Sequence, residues 1–202
     1  LFERLDPNDY RHPYERKVVA ALLKAQKIKD LMPEALKVAK EFNDQYHKAH
    51  LLQGVLVSEK QFPDIHKMAQ ENAKALSMKG GFKIYVMNSA QMNAYTWSID
   101  QDNYGVALFS GIIKALSTEE LRFVLAHEMG HVKSKHILSS ILVQLYAEKH
   151  GSLPPVFGLK DNGSAGNGKP DKKVLPTATL GMSHLPSNLT ADLLRRGGSN
   201  AA

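Results

Sequence analysis

Two histidines and a glutamate lie together in the segment His127-Glu128-Met129-Gly130-His131. On an α-helix each residue advances by about 100°, so His127 and His131 lie roughly 40° apart, one turn from each other on the same face. Two imidazoles in that relation can bind one Zn²⁺ ion per chain. Glu128 lies between them, where it can take a proton from a metal-activated water and pass it to a leaving amine. The spacing therefore predicts metal-dependent hydrolysis, with His127 and His131 as metal ligands and Glu128 as the catalytic residue.

The residues before this segment predict the helix that must carry it. Ser117-Thr118-Glu119-Glu120 has the pattern of a capping box, with Ser117 as the N-cap. Apolar residues then recur at helical spacing, at Leu121, Val124, Leu125, Met129 and Val132. The stretch from Ile137 to Ala147 continues this amphipathic pattern, which predicts that the helix runs on beyond the motif.

The other histidines are expected to take no part in the metal site. His136 follows His127 by nine residues, which is about 180° around an unbroken helix, so the two cannot share a metal unless the helix breaks. The remaining histidines are predicted to be surface or capping residues: His12, His47, His50, His66, His150 and His184.

The rest of the chain divides into three regions. Residues 1–50 are predicted to be an N-terminal helical extension of one or two helices, with Pro33 opening the second. Residues 51–150 are the predicted core, and residues 151–202 form a Gly/Pro-rich loop followed by a short helix. In the core we predict strands at 54–57, 82–86 and 106–109, and a helix at 63–78.

The composition narrows the classes of function. The chain has 202 residues and no cysteine, so disulfides and thiolate ligands are excluded. The net charge is +6, but the basic residues are scattered, and no nucleic-acid partner is expected. The longest apolar-rich stretch is too short to cross a bilayer, and the first residues lack the apolar core of a signal peptide. We therefore expect a chain without a transmembrane segment, in the cytoplasm; the oligomeric state is left open.

Three segments together resemble a known family. Asn93-Ala94-Tyr95, Gly105–Gly111 and Ser117–Lys133 are similar to the HtpX and CAAX-prenyl-protease family of gluzincin metallopeptidases. Leu5-Asp6-Pro7 and His12-Pro13 look like the N-terminal extension of the soluble bacterial members, and the membrane-spanning helices of HtpX are not expected here. The resemblance implies an α+β, zincin-like domain with a small mixed sheet and an HExxH active-site helix. It also implies zinc as the cofactor and hydrolysis of a peptide or protein substrate by a zinc metalloendopeptidase.

The same resemblance implies a substrate-binding strand. In the family, a strand above the metal holds the substrate backbone, and Asn93 and Ala94 match the segment that belongs to it. An exposed strand edge can pair with an extended peptide as one more strand. The alternative is that Tyr95 and Trp97 are only the packed face of a strand.

The third metal ligand is where the chain departs from the family. A gluzincin takes this ligand from a later Glu in an E-x-x-A-D setting, whereas the matching stretch here begins with Asn188, and no Glu follows Glu148. An amide oxygen brings no charge to offset the dication. The third ligand is therefore Asn188, Glu148 or a residue outside this chain. The altered third-ligand region motivates one alternative to an active enzyme, a weak or inactive member acting as a peptide-binding or regulatory module. A separate alternative is a helical interaction protein with an accidental motif.

Overall fold

The computed structural model describes residues 5–78, 81–98 and 103–151, all of which lie in one compact unit, 1–168. The helices in these residues are α1 (Pro7–Tyr10), α2 (Pro13–Lys24), α3 (Gln26–Gln53), α4 (Pro63–Ala75), α5 (Ser110–Ala115), α6 (Thr118–Lys133) and α7 (His136–His150). The strands are β1 (Gly54–Leu56), β2 (Phe82–Met87), β3 (Ala94–Ser98) and β4 (Tyr104–Phe109). The predicted core strands and the helix between them are confirmed.

The four strands form one mixed sheet in the order β1-β2-β4-β3. The central strands β2 and β4 are parallel, whereas β1 and β3 pair antiparallel to them as the two edges. Because side chains alternate along a strand, the sheet has two packed faces. One face meets α4 and α6, and the other meets α3 through Tyr46. The predicted α+β fold with a small mixed sheet is confirmed.

The boundary between the first long helices is not where the sequence placed it. The chain leaves the helical conformation at Ala25, whose backbone is extended, and Pro33 lies inside α3. A proline inside a helix costs about 3 kcal/mol. Four apolar residues along one face of α3 are nevertheless fully or almost fully buried: Ile28, Leu31, Ala35 and Ala39. Their packing holds the helix together across the proline.

The helix that carries the motif also ends earlier than predicted. Its last residue is Lys133, and Lys135 has a φ of 57°, in the left-handed region. The next helix, α7, starts at His136. A left-handed lysine is sterically costly and carries no sequence signal such as glycine would give. The prediction of one continuous helix was therefore wrong.

Among the described histidines that were predicted to be surface or capping residues, His50 is the exception. His12 caps α2 by accepting from the backbone N–H of Tyr14. His50, predicted to be exposed or capping, is only 3% exposed, and its ring stacks on Trp97 with a centroid separation of 4.4 Å. The aromatic side chains on this face of the sheet provide a surface on which an imidazole can stack. The sequence of α3 alone does not show that His50 faces them.

The predictions for the C-terminal region concern residues 152–202, which lie outside the described residues. Those predictions include the Gly/Pro-rich loop, the short last helix and the positions of His184 and Asn188. Within the described residues, no helix combines the length and the apolar character needed to cross a membrane.

Candidate metal centre

The start of α6 is fixed locally by its own sequence. The side chain of Ser117 accepts from the backbone N–H of Glu120, and the Glu120 carboxylate accepts from the backbone N–H of Ser117 at 2.8 Å. Leu121, Leu125 and Met129 bury one side of the helix against the sheet and α4. The capping box predicted from the sequence is confirmed: it fixes where the helix begins, and the buried apolar face fixes how the helix is rotated.

The three residues of the motif converge at one place on α6. His127 is exposed, His131 is partly buried, Glu128 is buried, and one ligand atom from each lies within 4.8 Å of the others. The two Nε2 atoms of the histidines are 3.0 Å apart, and their rings are nearly perpendicular. Among the residues that the structure describes, this is the group of metal-ligating side chains that could hold an ion.

This geometry fits a zinc ion. Tetrahedral zinc with Zn–N bonds of about 2.0–2.1 Å places two coordinating nitrogens about 3.3 Å apart. The 3.0 Å separation of the two Nε2 atoms is close to that value. If Nε2 of His131 binds the metal, its Nδ1 faces away from the ion, towards the protein.

Glu128 has the environment of a proton-accepting group. Its side chain is 2% exposed, and its Oε2 atom is buried without a hydrogen-bond partner in the described part of the chain. Burial in a low-dielectric environment raises the pKa of the carboxyl from 4.5 to about 7. Buried polar atoms are normally paired. A buried carboxyl oxygen that lacks a hydrogen-bond partner and lies near two histidines therefore fits a group that exchanges protons with a reactant. It does not fit a group whose hydrogen bonds stabilise the fold.

The strand expected to bind substrate lies at the sheet edge beside this centre. β3 pairs with β4 on one side only, and α6 packs against it. The carbonyl of Asn93 accepts from the backbone N–H of Phe109, so Asn93 faces β4. Because residues of an antiparallel strand alternate in direction, the backbone groups of Ala94 and Thr96 face away from β4, towards the open edge.

The side chains of the predicted binding segment have structural partners. Ala94 is 4% exposed and packs in the core that includes Leu125, and the side-chain oxygen of Asn93 accepts from the N–H of Ala94 at 3.0 Å. Tyr95 and Trp97 pack with Tyr46 on the face of the sheet that meets α3. Within this segment the Ala94 carbonyl is in a position to meet a peptide, whereas the Ala94 N–H already donates to Asn93, and Tyr95 belongs to the packed face.

Two residues that the sequence did not assign to the site lie next to it. His136 Nδ1 is 2.7 Å from Nδ1 of His131, and His136 Nε2 is 2.8 Å from the Glu15 carboxylate. The expectation that His136 points away was wrong because the break at Lys135 turns the chain back. Glu15 lies 116 positions before His131, and no spacing in the sequence connects them.

Of the two candidates for the third metal ligand, Glu148 lies within the described residues and Asn188 does not. Glu148, near the end of α7, accepts from the Gln144 side chain at 3.2 Å and is not part of the group formed by His127, Glu128 and His131. Asn188 lies outside the described residues.

The chain is similar in sequence to known metallopeptidases and proteases. The chain is 31% identical over 140 residues to plastoglobule-localized metallopeptidase 48 of Arabidopsis thaliana, which is 67% of this chain and 39% of that protein. It is 32% identical over 133 residues to a protease HtpX homolog of Ralstonia nicotianae, 66% of this chain and 46% of that protein. A second HtpX homolog, from Sulfurihydrogenibium sp., is 42% identical over 78 residues, 39% of this chain and 26% of that protein. The chain thus spans less than half the length of these relatives.

No solved structure matches the chain. Residues 59–173 match the sequence pattern of peptidase family M48. That range is more than half of the chain and includes the edge strand β3, the capping box and the three converging residues of α6. The chain belongs to peptidase family M48.

Proposed function

We propose that this chain is a zinc-dependent metalloendopeptidase with one zinc ion per chain. In this proposal His127 and His131 bind the metal, and Glu128 is the general base and then the general acid. One observation carries it: two imidazole Nε2 atoms 3.0 Å apart lie beside a buried carboxyl oxygen that has no partner among the described residues. Membership of a peptidase family supports peptide bonds as the target.

Each residue has a distinct task in the reaction. When bound, zinc supplies a Lewis acid that polarises the scissile carbonyl and lowers the pKa of water. Glu128 takes the proton from the attacking water, holds it in its buried site, and donates it to the leaving amine. The Oε2 atom of Glu128 has no hydrogen-bond partner among the described residues, so it is available to take up and release this proton.

The edge strand β3 is the proposed docking site for the substrate backbone. Ala94 and Thr96 direct their backbone groups away from β4, and α6 lies against the same strand. An extended peptide that pairs there becomes a fifth strand and presents a carbonyl beside the two histidines. This pairing uses main-chain hydrogen bonds and does not depend on the side chains of the substrate. The proposed substrate class is therefore an extended peptide or an unfolded segment of a protein.

A second function is favoured by one specific difference from the family. Asn188 stands where the resemblance implies a glutamate ligand. With a weak third ligand, the chain would keep the edge strand and bind peptides without cleaving them. Zinc content and peptide hydrolysis separate the two functions.

The test is metal analysis and casein hydrolysis by the purified chain and two histidine variants. His131→Ala removes a proposed ligand, and His66→Ala is the matched control, because His66 is a partly exposed histidine of α4 outside the group formed by His127, Glu128 and His131. We expect about one zinc per chain and hydrolysis in the unmodified chain and the control, and loss of both in His131→Ala. Full zinc binding by His131→Ala would refute the site. Zinc and peptide binding without hydrolysis would support the peptide-binding function.

A further inference from the structure

The break between α6 and α7 brings a third histidine to the metal centre. On a continuous helix His136 would lie opposite His127. Because Lys135 is left-handed, the chain turns, and His136 Nδ1 comes within 2.7 Å of the Nδ1 atom of His131. The two ring nitrogens of His131 therefore have different neighbours. Nε2 lies next to His127, and Nδ1, on the other side of the ring, lies next to His136.

A carboxylate lies behind this histidine. Glu15 on α2 places Oε1 2.8 Å from His136 Nε2, and the same oxygen is 3.0 Å from Arg11 Nε. The side chains of Arg11, Glu15 and His136 are 10%, 27% and 25% exposed, so the contacts are partly shielded from water. Residues from α2, α7 and α6 thus form a continuous line from Glu15 through His136 to His131.

With Nε2 of His131 on the metal, one arrangement of protons satisfies both histidine contacts in this line. A histidine that binds a metal through Nε2 carries its proton on Nδ1. We assign that N–H of His131 as the donor to Nδ1 of His136. His136 then carries its own proton on Nε2 and donates it to the Glu15 carboxylate. Each of the two short contacts then has one donor and one acceptor.

We propose that His136 and Glu15 are positioning residues for the metal ligand His131. This inference rests on the proposed function, because it takes His131 as a ligand. Metal-binding histidines generally donate their second N–H to an acceptor that fixes the ring and makes the coordinating nitrogen more basic. Here the acceptor is a second histidine, and its own orientation is fixed by a carboxylate.

The proposal gives the first two helices a role in the metal centre. The hydroxyl of Tyr10 lies 2.8 Å from Oγ of Ser134, and the Arg11 guanidinium donates to the Ser134 carbonyl. Ser134 is 1% exposed and precedes the left-handed Lys135. The N-terminal helices therefore hold the turn that delivers His136, and they supply the carboxylate that orients it.

The test compares zinc dissociation constants, measured by chelator competition, for the full chain and four variants. His136→Leu removes both hydrogen bonds at similar volume, whereas His136→Gln can still accept one hydrogen bond and donate another. Glu15→Gln removes the charge. Glu71→Gln is the matched control, because it cuts a different glutamate contact onto α6, to Arg122. Melting temperatures of the zinc-free proteins identify any variant that does not fold.

We expect zinc to bind about 10- to 100-fold more weakly in His136→Leu, the usual loss when such a partner is removed. His136→Gln should recover much of this loss, Glu15→Gln should also weaken binding, and Glu71→Gln should bind as the unmodified chain does. In zinc-loaded protein, ¹⁵N NMR should show the proton on Nδ1 of His131 and on Nε2 of His136. A purely structural role would make the leucine and glutamine variants equivalent and leave zinc affinity unchanged.

Two failures can be told apart. If the unmodified chain binds zinc and His131→Ala does not, while folded His136→Leu and Glu15→Gln bind it as tightly as the unmodified chain, the positioning role is wrong and the proposed function stands. If the unmodified chain binds no zinc, the proposed function is wrong and this inference fails with it.

Discussion

Replacing Glu128 by Gln should abolish most catalysis and at the same time stabilise the zinc-free protein at alkaline pH. Gln has nearly the same shape, but it cannot accept a proton from water at neutral pH. Loss of a positioned general base lowers the rate by at least roughly 10²-fold. The stability effect follows from burial, because a carboxyl that is 2% exposed and has an unpaired oxygen is costly to ionise.

The size of the stability effect follows from the pKa of Glu128. A rise from 4.5 to about 7 corresponds to about 3 kcal/mol of preference for the protonated form in the folded state. The pKa of this carboxyl is higher in the folded protein than in the unfolded chain. Protonation of Glu128 therefore stabilises the folded protein at low pH, and this stabilisation is lost as the pH rises through about 7. Between pH 5 and pH 8 the free energy of unfolding of the unmodified protein should fall by about 2 to 3 kcal/mol more than that of Glu128→Gln.

Urea unfolding of both proteins, with chelator present, measures this difference at pH 5 and at pH 8. The cost of burying an amide is the same at both pH values, so it cancels when the two pH values are compared. His127 and His131 are present in both proteins. A free-energy difference between the two proteins that stays constant from pH 5 to pH 8 would show that Glu128 is not desolvated as the structure indicates. Undiminished casein hydrolysis by the variant would refute its role as the base.

The two remaining predictions concern substrate docking and the third ligand. Thr96→Pro removes an N–H that faces the open edge and should lower kcat/KM for peptides by about 3- to 10-fold, the value of one hydrogen bond. Thr96→Val, which keeps that N–H, should not, and equal kcat/KM in both folded variants would mean that β3 is not the docking edge. Asn188→Glu should tighten zinc binding and raise hydrolysis, because a carboxylate is the better ligand. If instead only Glu148→Gln strips the metal, then Glu148 is the ligand.

Local features of the chain determined much of the site in advance. The H-E-x-x-H spacing depends only on helical geometry, and the capping box at Ser117 depends only on neighbouring residues, so both could be derived from the sequence. The strands β1, β2 and β4 were recognisable because short apolar runs were bounded by glycine, proline and polar residues, whereas β3 was expected only from the family resemblance. The proposed metal ligands His127 and His131 and the proposed general base Glu128 could be named without knowledge of the fold.

The sequence by itself thus determined which residues share the helix face and which chemistry they can perform. Only the tertiary structure decided what surrounds them. The left-handed turn at Lys135 has no local signal; contacts from Tyr10 and Arg11 to Ser134, more than 120 positions away, hold the turn. The approach of His136 to His131 depends on that turn, as does the link to Glu15. The orientation of the β3 edge likewise depends on its pairing with β4, because strand order is a property of the whole sheet and not of any one strand.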